Sequence, residues 1–232
     1  MPKQKVHDIF ETIAKDYDAA NDRISFGLHR RWKKRLVDIV SRAAAIGGSG
    51  MVLDCCCGTG DITEAIARRN PGVLVVGLDF SENMLDVARY RTKDLDNVML
   101  IEGDAMSLPF DEGTFDAAVI SFGLRNLPDY GQGIAEMARV TRKGGIVACL
   151  DSSVPDDPVV IPFYTIYYRY LMVLLGGGPS RIPQYSWLYE STQEFLRKKE
   201  LAALFENNGL RDVEVQSFMM GAAALHVGTV WR

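Results

Sequence analysis

Between Met51 and Leu150 short apolar runs alternate with stretches of helical periodicity, and glycines, capping residues or aspartates mark nearly every change. That rhythm admits few folds. It builds parallel βαβ units whose strands are covered by helices on both faces. The spacing predicts strands at 51–55, 73–79, 98–101, 115–121 and 146–150. It predicts helices at 61–69, from a Ser81 cap onward with Met84, Leu85 and Ala88 on one side, and at 129–141, the last broken by Gly144-Gly145.

In such sheets ligands sit at the carboxyl ends of the strands, near the point where strand order reverses. The polar residues of this stretch fall at those ends: Asp54, Asp79, Asp104 and Ser121. The first strand runs into Leu53-Asp54-Cys55-Cys56-Cys57-Gly58-Thr59-Gly60-Asp61, where Gly58 and Gly60 permit a tight turn and close approach of a ligand. The loop is not G-x-G-x-x-G, because Thr63 stands where the third glycine would be. Asp61 opens the next helix, where a dinucleotide would place its pyrophosphate. A carboxylate there repels phosphate and suits a ligand bearing an ammonium and a sulfonium, which disfavours a nicotinamide dehydrogenase. Asp79, 25 residues after Asp54 and followed by Phe80, is placed to accept both hydroxyls of a ribose. Asp104, followed by Ala105, is placed to accept from an adenine amino group, and Ser121 lies beneath the ligand.

Outside this stretch, residues 3–45 read as helical with an interruption at 21–27. Residues 152–190 carry Pro155, Pro158, Pro162, Pro179, Pro183 and three consecutive glycines among many aromatics, and read as an inserted cap. Within it, 163–175 is apolar on nearly every side, which fits either a buried helix or an apolar lid that grips a lipid tail or rests on a membrane. A helix at 192–207, a stop at Gly209 and strands at 213–218 and 223–231 complete the chain. The expected organisation is one domain of 232 residues: helical cap 1–45, ligand-binding core 46–151, cap insertion 152–190, and a closing helix and strands 191–232.

A net charge of −4 gives no global attraction to nucleic acid. The local run Arg30-Arg31-Trp32-Lys33-Lys34-Arg35 reads either as a solvated helix face or as a contact with an anionic membrane surface. Cys55, Cys56, Cys57 and Cys149 lack the spacing of a metal site or a disulfide framework, so they read as reduced packing residues of a cytoplasmic protein. Residues 1–4 carry no apolar signal core. The apolar run 159–175 contains Arg169 and is marginal for a membrane span.

Three stretches resemble the quinone-biosynthesis C-methyltransferases. They are the N-terminal signature at 10–18 and 21–33, Ile120-Ser121-Phe122-Gly123-Leu124-Arg125-Asn126, and Ala223-Ala224-Leu225-His226-Val227-Gly228. The resemblance implies a Rossmann-like, doubly wound, mostly parallel seven-stranded α/β sheet with N-terminal helices and an apolar cap. It implies S-adenosylmethionine as methyl donor, S-adenosylhomocysteine as product, no metal, and a prenylated quinol as acceptor, most readily demethylmenaquinol. A small aromatic natural product is the alternative acceptor. A homodimer and peripheral contact with the inner membrane face are compatible with it.

Donor-binding positions are then Asp54, Gly58, Thr59, Gly60, Asp79, Phe80, Asp104, Ala105 and Ser121. Tyr17, Arg125 and Asn126 fall on the acceptor side. A ring carbon attacks readily only when the neighbouring oxygen is a phenolate, so a fixed cation, Arg125, is expected to stabilise it. Asn126 would orient the second ring oxygen and Tyr17 would close the site. His226 reads equally as a general base or as a satisfied structural histidine.

Overall fold

The fold is described from a computed structural model that covers residues 21–22, 25–44, 49–167 and 189–231. Helix α1, Leu28–Ala44, buries His29, Leu36, Val37, Val40 and Ala44 on one stripe. Strand β1, Met51–Cys55, passes through the glycine turn into α2, Asp61–Arg69. Strand β2, Leu74–Asp79, is followed by α3, Glu82–Thr92, whose first turn is capped by Ser81 accepting from the Met84 N–H. Strands β3, Val98–Glu102, and β4, Phe115–Ser121, follow. A single 3-10 turn, Leu124–Asn126, leads to α4, Tyr130–Val140, capped by the Asp129 carboxylate.

Strand β5, Thr141–Ser152, then α5, Val160–Ile166, α6, Lys198–Asn207, β6, Leu210–Phe218, and β7, Ala223–Val230, complete the described elements. The seven strands form one sheet in the order β3-β2-β1-β4-β5-β7-β6, with β7 antiparallel to both neighbours and the other pairs parallel. The expected doubly wound sheet is therefore the observed one. Order reverses between β1 and β4, so the tips of β1, β2, β3 and β4 flank the switch point.

Alternation along the strands feeds two cores. Val52, Val75, Ala117, Val119 and Ala148 pack under α1 and α2 with Leu36, Val40, Ile62 and Ile66. Leu53, Cys55, Leu78, Ile120 and Cys149 pack on the other face with Ile134, Met137, Leu201 and Phe205. All four cysteines are free thiols.

Three boundaries differ from expectation. Gly144-Gly145 does not end α4; the pair lies inside β5, where four residues bulge between the Phe115–Thr141 and Ala117–Ile146 pairings. Gly144 takes a φ of 77°, and the bulge is pinned by Arg142 Nε donating to Asp116 at 2.7 Å. The helix expected at 192–207 breaks at 195–197 and restarts at Lys198, its first turn held by the Arg197 N–H donating to Glu200. Strand β6 starts at Leu210, three residues early, with an irregularity around Asp212 at φ 52°. The buried-helix reading of the cap fails over the part described: Val159, Phe163 and Ile166 are exposed, and Tyr164 alone of α5 packs inward, with Val154 and Ala222. Residues 168–188 lie outside the described residues.

Candidate functional site

A cleft opens over the four strand tips. Its walls include Gly58, Thr59, Asp79, Phe80, Asp104, Ala105, Ser121 and Asn126, all read from sequence as site residues. Gly58 takes a φ of 55° and a side chain there would meet nothing within 4 Å, so the backbone is bare toward the ligand. Asp79 is buried at the tip of β2. Its Oδ2 accepts the Gly58 N–H at 2.8 Å and its Oδ1 accepts the Ser81 N–H at 3.0 Å. Two backbone donors thus fix the orientation of the carboxylate at the strand tip, where it can meet the hydroxyls of a ribose. Asp104 is turned by the Met106 N–H, which donates to its Oδ1 at 3.0 Å.

Two buried polar atoms at the cleft have no protein partner among the described residues: Ser121 Oγ and Asn126 Oδ1. Buried polar atoms are nearly always bonded, so orphans in a cleft wall mark where a ligand bonds. Two non-glycine residues of the wall, Cys56 and Phe122, both hold φ at 57°. Such conformations cost on the order of 1–3 kcal/mol each and concentrate at functional sites.

Four site residues take other places. Asp54 is buried behind the cleft and accepts from Thr63 Oγ1 at 2.6 Å, tying β1 to α2 rather than to a ligand. Gly60 serves packing, since a Cβ there would lie 2.8 Å from Ala88 of α3. Arg125 does not face the cleft: it is 8% exposed and its Nη1 donates to Asp151 at 2.5 Å and to the Phe122 carbonyl at 3.0 Å. Asp151 also accepts the Arg125 N–H and the Ser152 N–H. This pair ties the loop after β4 to the end of β5, so Arg125 sits against a carboxylate rather than as a lone cation. His226, in the body of β7, donates from Nε2 to the Lys198 carbonyl at 2.9 Å, packs near Phe205, and is not part of the cleft. Burial holds its imidazole below the usual range, and the bond joins β7 to the first residue of α6. Tyr17 lies outside the described residues.

Sequence reasoning missed Lys33 as a wall of the cleft. It lies on the same stripe of α1 as His29, Leu36 and Val37, and that spacing is the signal that marks it as inward-facing. Cys56, Cys57, Met84, Gly103, Leu127 and Pro128 also line the cleft and left no comparable trace.

Burial pushes the Asp54 carboxyl up to about 7, against the Thr63 hydrogen bond that lowers it. A carboxyl raised on folding favours the fold most below its unfolded value near 4, and that advantage is lost as pH rises through about 7. Urea unfolding of wild type and Asp54→Asn should therefore diverge between pH 4 and 8, the variant gaining up to about 4 kcal/mol relative to wild type. A pH-independent difference would contradict it.

The lining suits a cationic ligand. Among the described lining residues one ammonium, Lys33, stands against three carboxylates, Asp61, Asp79 and Asp104. That field opposes a pyrophosphate and favours a sulfonium, and the Asp79 cradle together with the orphan Ser121 fits an adenosyl group. The described residues contain no cluster of metal-ligating side chains.

Comparison with known proteins agrees. The model of the ubiE/COQ5 methyltransferase family matches residues 1–230. Over 228 residues the chain is 43% identical to a demethylmenaquinone methyltransferase of Staphylococcus carnosus (strain TM300), covering 97% of this chain and 93% of that protein. Identity and coverage are the same for a demethylmenaquinone methyltransferase of Staphylococcus aureus (strain JH9). In three dimensions the chain resembles a SAM-dependent methyltransferase from Thermotoga maritima, with a TM-score of 0.61 at 18% identity, covering 97% of this chain and 99% of that one.

Proposed function

The chain belongs to the ubiE/COQ5 methyltransferase family, and on that premise we propose that it methylates a ring carbon of a prenylated quinol, converting demethylmenaquinol to menaquinol. The observation that carries the reading is the cleft itself: a carboxylate pre-aimed by two backbone donors, with unpartnered Ser121 Oγ and Asn126 Oδ1 a short way along the same wall.

S-adenosylmethionine, when bound, supplies an electrophilic methyl group on a sulfonium. The chain's part is to bind, orient and exclude water. Asp79 takes the ribose hydroxyls, Asp104 and Ala105 border the adenine, and Gly58 and Thr59 let the chain pass close to the backbone. Asn126, steadied by its Nδ2 donating to the Phe122 carbonyl at 3.3 Å, offers Oδ1 to a ring hydroxyl. The Arg125–Asp151 pair keeps that turn in place. Tyr17 is proposed as a second hydrogen-bonding group on the acceptor side. Holding the ring carbon and the methyl group at near-attack distance supplies much of the acceleration, because one carbon–carbon bond forms, one carbon–sulfur bond breaks and the ring proton leaves to solvent.

The test is transfer of labelled methyl from the donor to reduced demethylmenaquinone, with label recovered on the naphthoquinol ring. Label on small phenols alone would favour the small-aromatic alternative.

A prenyl tail needs an apolar path. Val159, Phe163 and Ile166 of the α5 segment offer one, and no helix of the described residues is long and apolar enough to cross a membrane. We expect Phe163→Glu to raise the KM for a long-tailed acceptor about tenfold, the scale of one lost aromatic burial, and to leave a tail-free naphthoquinol unchanged. Equal effects on both acceptors would remove α5 from tail recognition.

A further inference from the structure

We propose that Lys33 and Asp61 together read the amino-acid end of the donor, Lys33 taking its carboxylate and Asp61 its ammonium. The proposal rests on the donor reading above and adds the group that distinguishes an intact donor from its fragments.

The observations are geometric. Lys33 Nζ and Asp61 Oδ2 lie 2.6 Å apart, and both residues line the cleft. Lys33 arrives from α1 and Asp61 from the first turn of α2, so the pair bridges two elements at the mouth of the glycine turn. Lys33 is nearly buried, with 12% of its side chain exposed, whereas Arg31, Lys34 and Arg35 of the same run face solvent. Its ammonium also lies 5.7 Å from the ring centroid of Phe122, which lines the same cleft.

Asp61 is held in place by the Ile62 N–H, which donates to its Oδ1 at 2.9 Å. Burial pushes the Asp61 carboxyl up, but the Lys33 ammonium and Arg91 outweigh it and hold the group below the usual carboxylate range. The pair is therefore an ammonium and a carboxylate side by side in a partly dry wall.

A free α-amino acid group has the same two charges, one carbon apart. Set against the pair in reversed order, it completes a ring of four alternating charges. An ammonium carries three donors and a carboxylate about four acceptor sites, so Lys33 and Asp61 can keep their mutual bond while each adds one to the ligand. The adenosine half is already placed by Asp79 and Asp104, which leaves this corner for the chain beyond the sulfur. Without Lys33 the donor carboxylate would face three carboxylates and no cation among the described lining residues. Lys33 is thus a specificity residue for the donor rather than part of a membrane-facing basic stripe.

The experiment compares three ligands on wild type, Lys33→Met and Lys33→Arg by calorimetry. S-adenosylhomocysteine carries both charged groups. Decarboxylated S-adenosylmethionine keeps the ammonium and lacks the carboxylate. 5′-Methylthioadenosine lacks both. We expect Lys33→Met to weaken S-adenosylhomocysteine on the order of 10- to 100-fold, to leave methylthioadenosine unchanged, and to bind the decarboxylated ligand at least as tightly as wild type, because Asp61 is then released to the ammonium. Lys33→Arg should recover most of the loss.

An equal loss for all three ligands would mean that Lys33 only docks α1, and would overturn the proposal. Unchanged S-adenosylhomocysteine binding in Lys33→Met would do the same. Failure of wild type to bind any adenosyl ligand would instead strike the donor reading itself.

Discussion

Asp79→Ala should lower affinity for S-adenosylhomocysteine roughly 100- to 1000-fold, the effect of losing two charge-assisted hydrogen bonds to the ribose. The size follows from how the carboxylate is set. Gly58 and Ser81 each donate a backbone N–H to one of its oxygens, so both oxygens are aimed before a ligand arrives and little ordering is left to do. Asp79→Asn should fail almost as badly. An amide presents an NH₂ to one of two backbone donors and loses the charge at once. Calorimetric titration gives the affinity, and a thermal melt shows whether the glycine turn survives. An affinity within about threefold of wild type, a difference below one ordinary hydrogen bond, would mean that the ribose sits elsewhere.

The second large effect is on stability. Arg125→Ala leaves Asp151, 2% exposed, as a buried carboxylate without its guanidinium. Removing one member of a buried ion pair typically costs about 3–5 kcal/mol, which in a chain of this length lowers Tm by roughly 10 °C. The double variant Arg125→Met with Asp151→Leu removes the orphaned charge with its partner and should recover much of that loss. If the single variant melted like wild type but lost turnover with tail-free and long-tailed acceptors alike, Arg125 would return to the acceptor site as a catalytic cation. Melting near wild type after the double change, with poor turnover, would show that the pair positions Asn126.

Much of this was legible in the residues. Strands β1 and β4 and helix α2 fall at the positions their patterns predict, because each is bounded by a strong local signal: the glycine turn, Asp61, or the polar tip at Ser121. Ser81 caps the helix it was expected to cap, and Asp129, expected as the first helical residue, proves to be the cap of the next. Asp79, Asp104 and Ser121 line the cleft as strand-tip residues that topology places there, whereas Asn126 was reached through the family resemblance. What failed depends on distant partners. The restart of a helix at Lys198 is set by burial of Phe195 and by a bond from Arg197 to Glu200, neither of which resembles the usual serine or threonine cap. The place of Gly144-Gly145 inside β5 follows from an Arg142–Asp116 bond across the sheet. Arg125 looked like a free cation because Asp151, 26 positions later, gives no sign in sequence that it will neutralise it. His226 was left open between two roles, and its Lys198 carbonyl partner, 28 positions away, gives no sign in sequence. Lys33 is the instructive case: a run of charges hid the one member that lies on the apolar stripe of α1.

Everything turns on a cleft whose charges suit an adenosyl sulfonium and repel a dinucleotide. Titrating the purified protein with S-adenosylmethionine, S-adenosylhomocysteine and oxidised nicotinamide dinucleotide in one calorimetric series addresses that most directly. The expected result is saturable heat with the two adenosyl thioether compounds, one per chain, and none with the dinucleotide. Binding of the dinucleotide with silence from both adenosyl compounds would contradict the account at its root.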